Sequence, residues 1–282
     1  MNKEKKSLKK NKNIKRVAIA SIIFSVLLGF STIIIGNYFV DYSLVTTGES
    51  GDRKVSDEET TSAEKNSNES LIKEAIAKEQ EIENEWKSSV KSENIYITAD
   101  DGAVLKAVKY FAENKTDKWI ILAHGYHSNP EKVLSVGVNF SQQGYNVLSL
   151  SMRAHAESGG EYIGMGWLDR LDLLKWINLI VSENPNSSIV LHGTSMGGAS
   201  VMMVSGENLP SNVKAIVEEC GYTSVWDIFA SELKLRFKLP AFPVLDMVNL
   251  VAMNRAGYNI KEASALNQVK KSKVPILFIH GD

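Results

Sequence analysis

The chain has 282 residues, 44% hydrophobic and 23% charged, with a formal net charge of −1. That is enough for one large α/β domain with appendages, and a balance so near zero gives no basis for nucleic-acid binding. The single cysteine, Cys220, excludes an intramolecular disulfide.

The charge is unevenly placed. Residues 1–16 carry eight Lys or Arg against Glu4, a charge of +7, leaving −8 for the remainder. Residues 17–40 carry no charge and are rich in Ile, Val, Leu and Phe. As a helix they span about 36 Å, enough to cross a ~30 Å hydrocarbon core. No A-x-A-like cleavage site follows, so the expectation is an uncleaved signal anchor, with a cleaved signal as the alternative. Both place the rest of the chain outside the cell, because the basic tail stays cytoplasmic. Residues 41–68 are Ser, Thr, Gly, Asp and Glu with few large apolar groups, which predicts a flexible tether. Over 69–92, Ile72, Ala75, Ile76, Ile82, Trp86 and Val90 share a helical face. This predicts a helix packed on the domain edge; a partner-binding helix is the alternative.

From residue 93 the pattern changes to short apolar runs. Residues 95–98 and 104–111 flank Asp101-Gly102 as a hairpin. Residues 119–123, 145–150, 188–192, 213–219 and 275–280 read as strands, and 119–123 is apolar throughout, as in a sheet buried on both faces. Helical patterns at 130–143 and 167–181 alternate with them. The expected fold is therefore α/β, a doubly wound and mostly parallel sheet. Residues 222–273 are longer than one crossover requires. Ser224-x-x-Asp227 is a capping box, Pro240 and Pro243 break the chain, and 244–253 is a second apolar helix. Such an inserted pair predicts a lid lining an acyl or side-chain pocket, or else plain packing helices.

The chemistry concentrates at Gly193-Thr194-Ser195-Met196-Gly197, with a strand before it and an apolar helix after it. Strand, G-x-S-x-G and helix form the nucleophile elbow, in which a tight turn lifts the serine Oγ clear of the backbone. Ser195 is the candidate nucleophile. The Met196 N–H, at the helix start, is a candidate oxyanion donor.

Three motifs in order, His124-Gly125-Tyr126, the elbow at Ser195, and Pro275 to Asp282 ending His280-Gly281-Asp282, resemble those of the α/β-hydrolase superfamily. Together with 162–167, they are most similar to exported or membrane-anchored bacterial serine hydrolases of the prolyl-oligopeptidase-like and serine-aminopeptidase types. The resemblance covers 95–282. It implies that the Tyr126 N–H is the second oxyanion donor. One loop departs from it. Many relatives read Asp-x-Arg-Gly-His-Gly-x-Ser where this chain has Ser151-Met152-Arg153-Ala154-His155-Ala156-Glu157-Ser158. Alanine in place of both glycines predicts that φ > 0 is not needed at Ala154 and Ala156.

The resemblance also implies the order Ser, acid, His, with the acid just past the Asp of His-Gly-Asp and the base well beyond it. Both are expected beyond Asp282, in a working hydrolase of which this sequence is a C-terminally truncated piece; a shortened inactive relative is the alternative. His124, His192 and His280 lie at strand ends inside structural motifs. His127 and His155 lie on loops at the right edge without matching the base position. Glu218 and Glu219 are fallback acids only. Cys220 reads as a small buried hydrophobe. No cluster has metal-ligand spacing and no glycine loop suits a phosphate, so no metal or cofactor is expected.

The expected function is membrane-anchored, extracytoplasmic cleavage of an ester or amide through an acyl-enzyme on Ser195. The substrate would be a small-molecule, peptide or acyl compound. Residues 1–282 alone would show little turnover. The alternative is a tethered, inactive binding or scaffold domain.

Overall fold

Burial on both faces marks the central strands of this chain. In the computed structural model, which describes residues 2–46 and 65–281 (residues 2–14, 28 and 65–70 by backbone alone), seven strands form one sheet. Ser92–Thr98 (β1) and Val104–Tyr110 (β2) pair antiparallel around the Asp101-Gly102 turn. Lys118–Ala123 (β3), Asn146–Leu150 (β4), Ser188–Thr194 (β5), Val213–Glu219 (β6) and Ile276–Ile279 (β7) complete the sheet in the order β1-β2-β4-β3-β5-β6-β7. From β4 across to β7 every pairing is parallel, so the doubly wound expectation holds. Alternate side chains of β3 feed opposite cores. Trp119, Ile121 and Ala123 pack with the larger cluster, Ile120 and Leu122 with the smaller.

The crossovers follow the apolar runs. Pro130–Val133 is a 3-10 turn leading into Leu134–Ser141 (α3). Asp169–Glu183 (α4) and Met196–Val204 (α5) sit against the larger core, and every residue of α5 is buried. The capping box forms as expected. Ser224 Oγ accepts from the Asp227 N–H at 3.0 Å, opening Val225–Phe237 (α6), and Ala241–Arg255 (α7) follows with a kink at Phe242. Ala265–Val269 (α8) returns the chain to β7.

Two N-terminal expectations need correction. Among its described side chains, Lys65–Ser89 (α2) docks through its last turns: Trp86 packs on Tyr110, the rings tilted by 40°, and donates from Nε1 to Ser141 Oγ at 3.0 Å. Leu71, Ile72, Ile76 and Ile82 stay exposed, so most of this helix is not packed on the domain edge.

The second correction is larger. Asn2–Leu44 (α1) contains a stretch, Lys15–Leu44, long and apolar enough to cross a membrane. It runs past Val40, where the span was expected to end, and its last turns belong to the α/β domain. Val40 and Leu44, one turn apart, are fully buried in the larger core. Arg255 donates to Asn37 Oδ1 at 2.7 Å and to Asp41 Oδ1 at 2.6 Å. The Ile163 N–H donates to the Leu44 carbonyl, and Val45 bridges Tyr162. Gly36 lets the helices touch, since a Cβ there would stand 2.8 Å from the Met247 carbonyl oxygen of α7. Residues 41–46 are therefore not a tether, because specific partners more than a hundred residues away fix them. Residues 47–64 of the expected tether lie outside the described residues.

Candidate active site

Register brings the candidate residues together. Ala123 pairs with Gly193, Thr194 with Glu219, and Glu219 with Ile279. The turns that follow, at Tyr126, Ser195, Cys220 and His280, thus share the carboxyl edge of the sheet, where open α/β sheets bind ligands. All four line one cavity of about 540 Å³, within the range of small-molecule sites. Much of its remaining wall is apolar and comes from α6 (Ile228, Phe229, Phe237) and α7 (Leu245, Val248), so the inserted pair lines the same cavity as Ser195.

The elbow is built as the sequence predicts. Ser195 takes φ +57°, a left-handed value that non-glycine residues adopt at a cost. Its N–H donates to the Glu219 carbonyl at 2.8 Å, and its side chain is exposed to the cavity. A Cβ on Gly197 would lie 2.5 Å from the Ala123 carbonyl carbon, and one on Gly193 would lie 2.8 Å from the Gly198 nitrogen. Met196 opens α5, whose first N–H groups have no intrahelical acceptor. The His124-Gly125-Tyr126 turn abuts the serine: a Cβ on Gly125 would stand 3.3 Å from Ser195 Cβ. The Tyr126 hydroxyl donates to the Ser43 carbonyl of α1 at 2.7 Å, which ties this turn to α1.

No histidine among the described residues hydrogen-bonds Ser195 Oγ. His124 is fully buried. Its Nε2 accepts from the Met152 N–H at 3.1 Å, so Nδ1 carries the proton and donates to the Gly125 carbonyl. Burial holds its pKa down at about 4. His155 is likewise engaged at both nitrogens, accepting from the His127 N–H and facing the Arg153 carbonyl, and burial lowers its pKa too. His127 and His155 line a separate cavity of about 320 Å³. His192, under the elbow, is also lowered by burial, and its Nε2 lies 3.7 Å from Glu219 Oε2.

The fallback acids are engaged in structure: Glu218 accepts from the Gly221 N–H and Glu219 accepts from Thr194 Oγ1. Two expectations change here. Cys220, at φ +53°, is exposed to the cavity rather than buried, and His280, read as structural, also lines it. Strand-end positions cannot be sorted into core and cavity without the turn that follows. Among the described residues no group of three or more His, Cys, Asp or Glu could hold a metal ion.

The departing loop gives a third correction. Ala154 and Ala156 have φ +55° and +45°, the left-handed values that glycine would adopt freely. The turn keeps its shape because its retained residues bind it. The Arg153 guanidinium grips Asp172 through Nε and Nη2 at 2.8 and 3.0 Å and Asp101 through Nη1 at 2.6 Å. Ser158 Oγ donates to the Ser151 carbonyl at 2.6 Å. Restoring both glycines, Ala154→Gly with Ala156→Gly, is expected to stabilise the domain by about 1 kcal/mol, strain relief outweighing the added unfolded-state entropy. Chemical denaturation midpoints of parent and double variant check this.

Beneath this loop, Asp169 is buried at the start of α4. Oδ2 accepts from the Gly166 N–H at 2.7 Å and Oδ1 has no hydrogen-bond partner. Burial, reinforced by the Asp172 charge, raises its pKa to about 7. Between the usual carboxylate pKa of 3.8 and 7, the unfolded chain has lost this proton and the folded one keeps it. This contribution to stability is therefore full below 3.8, falls as pH rises, and levels off above 7. Asp169→Asn has no such proton. Its stability relative to the parent should rise from pH 4.5 to pH 7 and then stay flat, as read from urea unfolding at several pH values.

Sequence reasoning missed Phe39, Tyr42 and Ser43 of α1, which line the Ser195 cavity. Their only local signal is the aromatic run Tyr38, Phe39 and Tyr42, which reads as the interfacial end of a span.

Residues 114–255, from before β3 to the end of α7, match the family model described as serine aminopeptidase, S33. The chain belongs to that family. Its fold is that of the α/β hydrolases. It is similar to the uncharacterized protein YqkD of Bacillus subtilis, 28% identical over 172 residues covering 61% of this chain and 56% of that protein. It also resembles a monoacylglycerol lipase of Mycolicibacterium smegmatis, 27% identical over 100 residues and 35% of each chain. This chain thus spans about half the length of the first curated relative and about a third of the second. Among solved structures, the esterase Pf2001 of Pyrococcus furiosus superposes with a TM-score of 0.52 at 25% identity, over 67% of this chain and 70% of that one.

Proposed function

We propose that this family member is a membrane-anchored, extracytoplasmic serine hydrolase that cleaves an ester or amide through an acyl-enzyme on Ser195. The observation that carries this reading is the elbow: a strained serine at φ +57°, exposed at the carboxyl edge and facing a largely apolar cavity. In the mechanism, a histidine takes the Ser195 proton as Oγ attacks the carbonyl carbon. The N–H groups of Tyr126 and Met196 stabilise the oxyanion, the leaving group takes the proton, and water then releases the acyl group. No histidine among the described residues, His280 at the cavity included, hydrogen-bonds Ser195 Oγ, and the base and its acid partner are proposed to lie beyond Asp282, itself outside the described residues. α1 supports the anchor, and the +7 tail supports a cytoplasmic N-terminus with the domain outside.

A fluorophosphonate should label Ser195 in the full-length protein, and the label should vanish in Ser195→Ala. A folded full-length protein that takes no label would leave a tethered binding domain as the function. Protease added to intact spheroplasts should remove the domain and spare a tag at residue 1. Loss of that tag with survival of the domain would reverse the topology.

A further inference from the structure

With Ser195 as nucleophile and α1 as the membrane span, as proposed above, we infer that the outer turns of α1 form a wall of the acyl pocket. Its substrate is then an acyl ester resident in the same bilayer, admitted at the membrane interface. The described large apolar side chains from Val17 to Ile34 are exposed, and from Gly36 onward α1 is gripped by α7 and the core. Residues 17–34 rise about 27 Å, close to a ~30 Å hydrocarbon core, so the bilayer surface falls near Ile35.

α1 is one continuous helix to Leu44, so the pocket stands at a fixed height above that surface. Phe39 and Tyr42 lie about 6 and 10 Å further along the axis, within or just above the headgroup layer, ~5–8 Å thick, where lipid ester groups sit. Both side chains line the Ser195 cavity and pack edge-on against Phe237 of α6, at 5.0 and 5.3 Å between ring centroids. The Tyr126 hydroxyl on Ser43 couples α1 to the turn proposed to hold the oxyanion.

A second, independent feature points to the bilayer. The α6–α7 hairpin that clasps α1 leaves Leu235, Phe242 and Leu250 at 63%, 76% and 60% exposure, with Met253 beside them. Apolar groups so exposed on the element that grips a membrane helix suit partial insertion into the adjoining leaflet. A soluble substrate would need neither feature.

The test uses the full-length protein in phosphatidylcholine–phosphatidylglycerol vesicles and a dodecyl fluorophosphonate carrying a diazirine at its chain end. After Ser195 has reacted, irradiation should place crosslinks on the α1 peptide containing Phe39 and Tyr42, as well as on α6. Phe39→Trp, which narrows that wall, should lower the ratio of kcat/KM for a dodecanoyl ester to that for a butanoyl ester at least tenfold. Labelling of Ser195 with crosslinks confined to α6 and α7, or a ratio unmoved in a folded Phe39→Trp, overturns the inference alone. No labelling of Ser195 overturns the nucleophile assignment and the inference with it. Release of the protein from the vesicles by carbonate overturns the membrane span on which the geometry depends.

Discussion

Ser195→Ala is expected to lower kcat by about 10⁶-fold in the full-length protein, because nothing else at the cavity replaces the attacking oxygen. The residual rate would come from binding and the oxyanion donors, which the substitution leaves in place. Stability should change by less than about 1 kcal/mol, since Ser195 Oγ makes no hydrogen bond among the described residues and faces the cavity. Hydrolysis of a short ester, followed together with urea unfolding, separates the two effects. A variant retaining more than one-hundredth of the parent rate would remove Ser195 from the role of nucleophile.

Gly197→Ala is expected to prevent stable folding, at a cost of about 4 kcal/mol or more against a typical domain stability of ~5–15 kcal/mol. The added Cβ would stand 2.5 Å from the Ala123 carbonyl carbon and 2.9 Å from the His124 carbonyl oxygen. Both neighbours are backbone of the central β3 and its turn, so no rotamer change relieves the overlap. The conflict drives the elbow away from the proposed oxyanion turn, and catalysis would fall with stability. A cooperative unfolding transition shifted by less than 1 kcal/mol would show that the elbow and β3 are less closely apposed than the structure has them.

These two positions show what was legible locally. A strand, a G-x-S-x-G turn and an apolar helix are contiguous in sequence, and their geometry is set by glycine sterics and by N–H groups with no earlier turn to bond. The same holds for the Ser224 cap, for the Asp101-Gly102 hairpin, and for β3, whose unbroken apolar run requires cover on both faces. Alternating strands and helices then leave few topologies, so the α/β order could be read before any contact was known.

The loop at Ala154 and Ala156 shows where local reading fails. Propensity placed both alanines at negative φ, but Arg153 bound to Asp172 and Asp101 holds the turn against that preference. The histidines were equally ambiguous in sequence. Only the fold shows which imidazole nitrogens are already engaged, and that His127 and His155 face a different cavity from Ser195.

By itself the sequence determined the fold class, the position of the elbow and the existence of a long apolar helix, because each depends on periodicity or on residues a few positions apart. Only the tertiary structure decided that this helix ends inside the hydrolase domain. Gly36, Asn37, Phe39 and Asp41 meet Met247, Arg255 and Phe237 across some two hundred residues of chain. Hydropathy along α1 reports only how well it would suit lipid. Whether Val40 and Leu44 face lipid or protein depends on the surface that α7 and the larger core present to them, and no local pattern encodes it.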